Sequence, residues 1–123
     1  MIDLKGKTIL IAEDEDFNYK FLERVLIKLG AQVIRAYNGK EAVELVSSDV
    51  QFWVLLLDLK MPVMTGYEAI HLIRNAGYKI PVLAVTAYAF SEDRDKAIAA
   101  GCDDYISKPF EIQDLIELLK KYL

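Results

Sequence analysis

The sequence predicts an α/β fold in which five parallel strands form one sheet, wound on both faces by five helices. Three observations carry that prediction. Short segments rich in branched residues alternate with helical patterns five times along the chain. Two of the segments, Trp53–Asp58 (WVLLLD) and Pro81–Thr86 (PVLAVT), are nearly all apolar rather than alternating, as a strand covered on both faces must be. Strand-helix-strand connections of this kind are right-handed and return the chain parallel to itself.

Taken in order, Lys7–Ala12 (KTILIA) is the first strand. Phe17, Phe21, Val25 and Leu29 then recur at four-residue spacing, with Leu22 and Leu26 beside them, and predict the buried stripe of a helix that Gly30 ends. Val33–Ala36 is the second strand. The second helix opens at Asn38, has Glu41 three residues on, and carries Ala42, Val43, Leu45 and Val46. After the third strand, Trp53–Asp58, the run Thr65-Gly66-Tyr67-Glu68 has the spacing of a capping box. Ala69, Leu72, Ile73 and Ala76 form the inward stripe behind it. Pro81–Thr86 is the fourth strand; Ser91-Glu92-Asp93 opens the fourth helix, its acids suiting the positive end of the dipole, and Gly101 closes it. Asp103–Ser107 is the fifth strand. The last helix runs from about Glu111 to Tyr122 with Ile112, Leu115, Ile116 and Leu119 inward. With no repeat, linker or low-complexity tract, residues 1–123 are expected to form one domain.

Composition narrows the function. The chain is 54% apolar and 28% charged, the balance of a globular core. A net charge of −4 argues against direct nucleic-acid binding, which needs a basic face. No apolar run approaches the roughly 18 residues of a membrane span, and the opening MIDLKGKTILIAEDE lacks the pattern of a signal peptide. The single cysteine, Cys102, calls for no oxidising compartment and reads as a small packing residue. A cytoplasmic domain is the expectation.

Ligands of a doubly wound sheet bind outside the carboxyl ends of its strands. There the sequence puts Glu13-Asp14 after the first strand, Asp58 at the end of the third, Thr86-Ala87 at the end of the fourth and Lys108-Pro109 after the fifth. Three carboxylates against one lysine are strained without a further cation. The donors are all hard oxygens, which favours Mg2+, with Mn2+ as the alternative, over zinc. Mg2+ commonly shares its shell between one or two carboxylates and a phosphate. Asp58 is then a candidate phosphoryl acceptor, since carboxylates act as nucleophiles in forming aspartyl phosphates. Lys108 would neutralise the phosphoryl oxygens and Thr86 would donate a hydrogen bond to one of them. Asp16 reads as a helix cap and His71 as an exposed residue off its helix's apolar stripe.

Four motifs, ILIAEDE, LLLDLKMPVMTG, LAVTA and DYISKPF, together resemble the receiver domain of two-component response regulators, over essentially the whole chain. The resemblance implies the flavodoxin-like strand order 2-1-3-4-5. It implies that Asp58 takes a phosphoryl group from a sensor histidine kinase or a histidine phosphotransfer domain. Asp14, Asp58 and the backbone carbonyl of Lys60 would bind the metal, and Glu13 would reach it chiefly through water. Thr86 and Tyr105 match the switch pair, and Lys108 the lysine that pairs with the phosphoryl group, across a cis bond to Pro109. Lys60 and Tyr88 occupy the positions that tune self-dephosphorylation, and would screen the site to give a lifetime of minutes or longer. Such a protein is a phosphoacceptor with self-phosphorylation and autodephosphorylation chemistry, not an enzyme with turnover.

The resemblance further implies a downstream protein bound through the fourth helix, fifth strand and fifth helix, or a homodimer. Two contexts fit: a stand-alone regulator, or a receiver within a hybrid sensor kinase, whose junction LKGKTILIAEDE resembles. A haloacid-dehalogenase phosphatase would need a second acid where Lys60 stands. A flavodoxin would need a phosphate-holding first loop, where Glu13-Asp14-Glu15-Asp16 would repel one. The remaining alternative is a pseudo-receiver, an interaction module that is never phosphorylated.

Overall fold

The computed structural model describes residues 2–87 and 91–123. Its elements run β1 (Thr8–Ala12), α1 (Asp16–Lys28), β2 (Gln32–Ala36), α2 (Gly39–Val46), β3 (Val54–Leu57), α3 (Gly66–Asn75), β4 (Val82–Thr86), α4 (Ser91–Ala100), β5 (Asp104–Ser107) and α5 (Ile112–Lys120). The strands form one parallel sheet in the order β2-β1-β3-β4-β5, the arrangement expected. Strand ends differ from the sequence reading by a residue, because ladder pairing and not hydrophobicity decides them.

The register levels the carboxyl ends of the strands. Ala12 lies between Ala36 and Leu57, Leu57 pairs with Ala84, and Thr86 pairs with Ser107. Glu13, Asp58 and Lys108, each the first residue past its strand, therefore leave the sheet at one edge. Alternation along the strands divides the core in two. Ile9, Ile11, Leu56, Leu83 and Val85 pack against α1 and α5. Leu10, Leu55, Leu57 and Ala84 pack against Ile70 and Ile73 of α3 and Ala97 of α4. Both β3 and β4 are buried along their whole length, and each large side chain so buried contributes roughly 1.5–3 kcal/mol.

Three helical stripes differ from the sequence reading. In α1 the core takes Tyr19, Leu22, Val25 and Leu26, while Phe17 is 85% and Phe21 39% exposed. A four-residue step turns about 400°, so a strict i+4 series drifts about 40° per step around the helix. Val25 and Leu29 point inward and the two phenylalanines have rotated out to solvent. In α3 Ile70 replaces Leu72 and Ala76 in the core, and in α5 Leu118 replaces Ile112. Asp16 is not the cap of α1: Glu15 holds that position, and Asp16 pairs with Arg35 at 2.8 Å. The expected caps of the next two helices do form. Asn38 accepts the Glu41 N–H at 2.9 Å, and Thr65 and Glu68 complete a reciprocal capping box.

Candidate functional site

Asp58 is held from both sides. Its N–H donates to the Ala12 carbonyl at 3.0 Å, continuing the ladder one residue past β3. Its Oδ1 accepts the Lys60 N–H at 3.0 Å, which brings the Lys60 backbone beside the carboxylate. The loop that follows is fixed by close backbone approach. A Cβ on Gly66 would lie 2.5 Å from the Asp58 carbonyl oxygen and 2.6 Å from Leu59 Cα, so this position admits no side chain. Gly39, at the start of α2, likewise sits against the Met64 carbonyl and donates its N–H to it at 3.2 Å.

Glu13 leaves β1 with its N–H on the Ala36 carbonyl at 3.1 Å, and its side chain is 2% exposed. One carboxylate oxygen accepts the Lys108 ammonium at 2.7 Å and the other accepts the Glu15 N–H at 3.2 Å. Lys108 also reaches Asp58 Oδ2, at 3.4 Å, so the lysine bridges two acids and sits closer to Glu13. Burial pushes the Glu13 carboxyl above its ordinary range and the charge of Asp58 adds to this, while the bond from Lys108 pulls it back. For Lys108 burial acts downward, but the Glu13 hydrogen bond and the charges of Asp58 and Glu13 outweigh it, so the ammonium is held charged.

One oxygen from each of Glu13, Asp14 and Asp58 lies within 4.8 Å of the others. Oxygens about 2.1 Å from a shared Mg2+ lie up to about 4.2 Å apart, so the spacing fits a hard divalent ion after a small contraction. The cleft at this edge has a volume of about 370 Å³, and Thr86 and Lys60 lie on its wall. Thr86 is fully buried and its Oγ1 has no hydrogen-bond partner among the described residues; the Tyr105 hydroxyl on β5 is in the same condition. The Lys108-Pro109 peptide is cis. Of the residues singled out in the sequence, Glu13, Asp14, Asp58, Lys60, Thr86 and Lys108 come together here, Tyr105 lies on the adjoining strand, and Tyr88 falls outside the described residues. His71 is exposed and Cys102 buried.

Two features escaped the sequence reading. Larger grooves of about 480 Å³ flank the acidic cleft, bounded by Phe17, Phe21, Pro109 and Phe110 and, further along α1, by Lys20 and Arg24. The rotation of the phenylalanine series out of the core creates them. Arg35, at the end of β2, donates to the Glu13 and Asp14 carbonyls at 3.1 and 3.2 Å. No sequence signal pointed to Arg35, whose acceptors lie 19 to 22 residues away.

Residues 9–120 match the family model described as the response regulator receiver domain. The polar-differentiation response regulator DivK of Brucella anthropi is 34% identical over 119 residues, covering 95% of this chain and 96% of that protein. Hybrid signal transduction histidine kinase G of Dictyostelium discoideum is 40% identical over 119 residues, but these are 93% of this chain and only 3% of the kinase. Among solved structures, the receiver domain of a Pseudomonas aeruginosa sensor histidine kinase superposes with a TM-score of 0.86 at 34% identity, covering 95% of this chain and 97% of that one. That structure holds a magnesium ion in its active-site cleft. Among the described residues, no helix is long and apolar enough to cross a membrane.

Proposed function

The chain belongs to the response regulator receiver family, and on that premise we propose that it is the phosphoacceptor of a two-component phosphorelay, with Asp58 as the acceptor. The observation that carries the reading is the meeting of Glu13, Asp14 and Asp58 within 4.8 Å, under a lysine that bridges two of them. Nothing in the packing of the fold requires three acids there. They suit a site that gains a divalent cation and a phosphoryl group.

In the proposed reaction a carboxylate oxygen of Asp58 attacks phosphorus of a donor phosphohistidine. An O–P bond forms, the P–N bond breaks, and its electron pair stays on the departing imidazole nitrogen. Glu13, Asp14, Asp58 and the Lys60 carbonyl would hold Mg2+ or Mn2+, which when bound supplies positive charge against the carboxylates and the phosphoryl oxygens. Lys108 shifts its ammonium from Glu13 toward the new phosphoryl group. The unpartnered Thr86 hydroxyl donates to a phosphoryl oxygen, and the resulting movement gives the Tyr105 ring, with its own unsatisfied hydroxyl, a new position to occupy. The donor is a sensor histidine kinase or histidine phosphotransfer domain, seated on the apolar rim of Phe17, Phe21 and Phe110 beside the cleft. The output face is α4, β5 and α5, offered to a downstream protein or to a second copy of the chain.

The test is intact mass after incubation with a small phosphodonor, with and without Mg2+, beside Asp58→Asn. A magnesium-dependent gain of one phosphoryl group, absent in the variant, is expected. No gain under any condition would leave the pseudo-receiver reading, a module that binds its partner unphosphorylated.

A further inference from the structure

Arg35 lies at the junction of two observations that the proposed chemistry leaves unused. The first is the loop Glu13-Asp14-Glu15-Asp16, four successive acids that repel one another and would spread if left free. The second is a fully engaged guanidinium beneath it. Arg35 Nε donates to the Glu13 carbonyl at 3.1 Å, one terminal nitrogen donates to the Asp14 carbonyl at 3.2 Å, and the other to Asp16 Oδ1 at 2.8 Å. Its guanidinium carbon lies over the rings of Tyr19 and Tyr37, 4.4 and 4.1 Å from their centroids. The Tyr19 ring is tied down, its OH donating to Glu23 at 2.8 Å, and the backbone N–H of Tyr37 donates to Glu41 at 3.0 Å. The arginine side chain is 10% exposed, so it is locked rather than waving in solvent.

We infer that Arg35 is a positioning residue for the metal-binding acids: its fork fixes the backbone of Glu13 and Asp14 so that their carboxylates stay within reach of Asp58. This rests on the metal-site reading above. The two carbonyls it grips belong to the two residues whose side chains enter the site, and each loses most of its freedom when its peptide plane is fixed. A point charge alone would not do this. A lysine at position 35 keeps the charge but reaches at most one of the three acceptors in good geometry. The grip also has a cost to offset, because a cation near a metal site repels the metal. Asp16 compensates for that charge, and the other two bonds of the fork go to the backbone oxygens of Glu13 and Asp14.

The test is titration with Mn2+ alone, reading the EPR signal of the free ion, for wild type, Arg35→Lys and Arg74→Lys, with urea unfolding of each. Arg74 makes the same three kinds of bond far from the site and serves as the stability control. Arg35→Lys is expected to bind Mn2+ about tenfold more weakly, the low end of what losing an outer-shell partner of a metal ligand costs. Arg74→Lys should bind as wild type does, although its unfolding midpoint falls. Arg35→Lys binding like wild type overturns the inference, as does an equal loss of affinity in Arg74→Lys. A wild-type protein that binds no Mn2+ overturns the metal-site reading itself and this inference with it.

Discussion

Arg35 and Arg74 make nearly the same set of bonds at opposite ends of the sheet. Arg74 Nε donates to the Gly101 carbonyl at 3.0 Å, and its terminal nitrogens to the Tyr78 carbonyl at 2.9 Å and Asp103 at 2.8 Å. Arg35 likewise takes two carbonyls and one aspartate. What differs is the company. Asp103 is already engaged by the Val82 N–H at 2.8 Å, so Arg74 joins α3 to the turns before β4 and β5 and completes a satisfied structural knot. Gly101 belongs to that knot, since a Cβ there would meet Arg74 Cγ at 2.9 Å. Arg35 instead restrains a run of acids in which Glu13 is paired with Lys108 at the site and Asp16 with Arg35 itself. One device thus serves packing at one end of the sheet and poise at the other, and only the surroundings tell which.

The largest effect that would sharpen this contrast is truncation of either arginine. Arg74→Met and Arg35→Met should each lose about 3 kcal/mol in urea unfolding, since each strands several acceptors of a charged donor. Added Mg2+ should separate the two. Bound metal stabilises the folded state by mass action, so Mg2+ should raise the unfolding midpoint of Arg74→Met as much as that of wild type. The same Mg2+ concentration should raise that of Arg35→Met much less. Equal responses would break the comparison.

Next in size is Lys108→Met, expected to cost about 2 kcal/mol at pH 7 by leaving a buried carboxylate without its partner. The pH dependence has a definite sign. Burial already raises the Glu13 carboxyl, and losing the lysine raises it further. A folded-state pKa above the unfolded value stabilises at low pH, and that contribution is lost as pH rises through the folded value. The deficit of Lys108→Met against wild type should therefore shrink from pH 7 to pH 5, and Mg2+ should shrink it at pH 7. A deficit constant across that range would show that Glu13 keeps the same protonation state with and without the lysine.

The sheet order and the edge where the acids gather were legible because they depend on signals that survive in one dimension. Short runs such as VLLL of β3, set between helical patterns, fit doubly covered strands, and the residue after each parallel strand must leave at the same edge. The Thr65–Glu68 box was legible for the same reason, since both its partners lie within four residues. Phe17 and Phe21 misled because a spacing of four matches the helical period locally and drifts over three turns. Arg35 was invisible because its acceptors lie 19 to 22 residues away and two are backbone oxygens, which every residue possesses. Gly66 stood in the sequence as part of the capping-box run, whereas in space it is the one residue type that lets α3 start against the acceptor's own carbonyl.

The smallest effect belongs to the packed end of the sheet and needs no metal. Cys102, beside the Arg74 knot, is 4% exposed. Burial pushes its thiol up from 9.0 to about 12; Arg74 pulls against that shift and Asp103 adds to it. Because the folded-state value is the higher one, this stabilisation is complete below pH 9 and is lost as pH rises from 9 toward 12. By pH 10 wild type should have lost about 1.4 kcal/mol that Cys102→Ala retains, one pH unit of differential ionisation. Measurement between pH 8 and pH 10 stays below the range of Tyr19, whose hydroxyl burial raises to about 12. Desolvation governs this thiol, so the difference between the two proteins should be the same in low salt, high salt and Mg2+. Parallel pH curves would place the thiol in contact with water. A difference that shrinks with salt would mean the packed end is held by charge after all, and the distinction between the two arginines would fail.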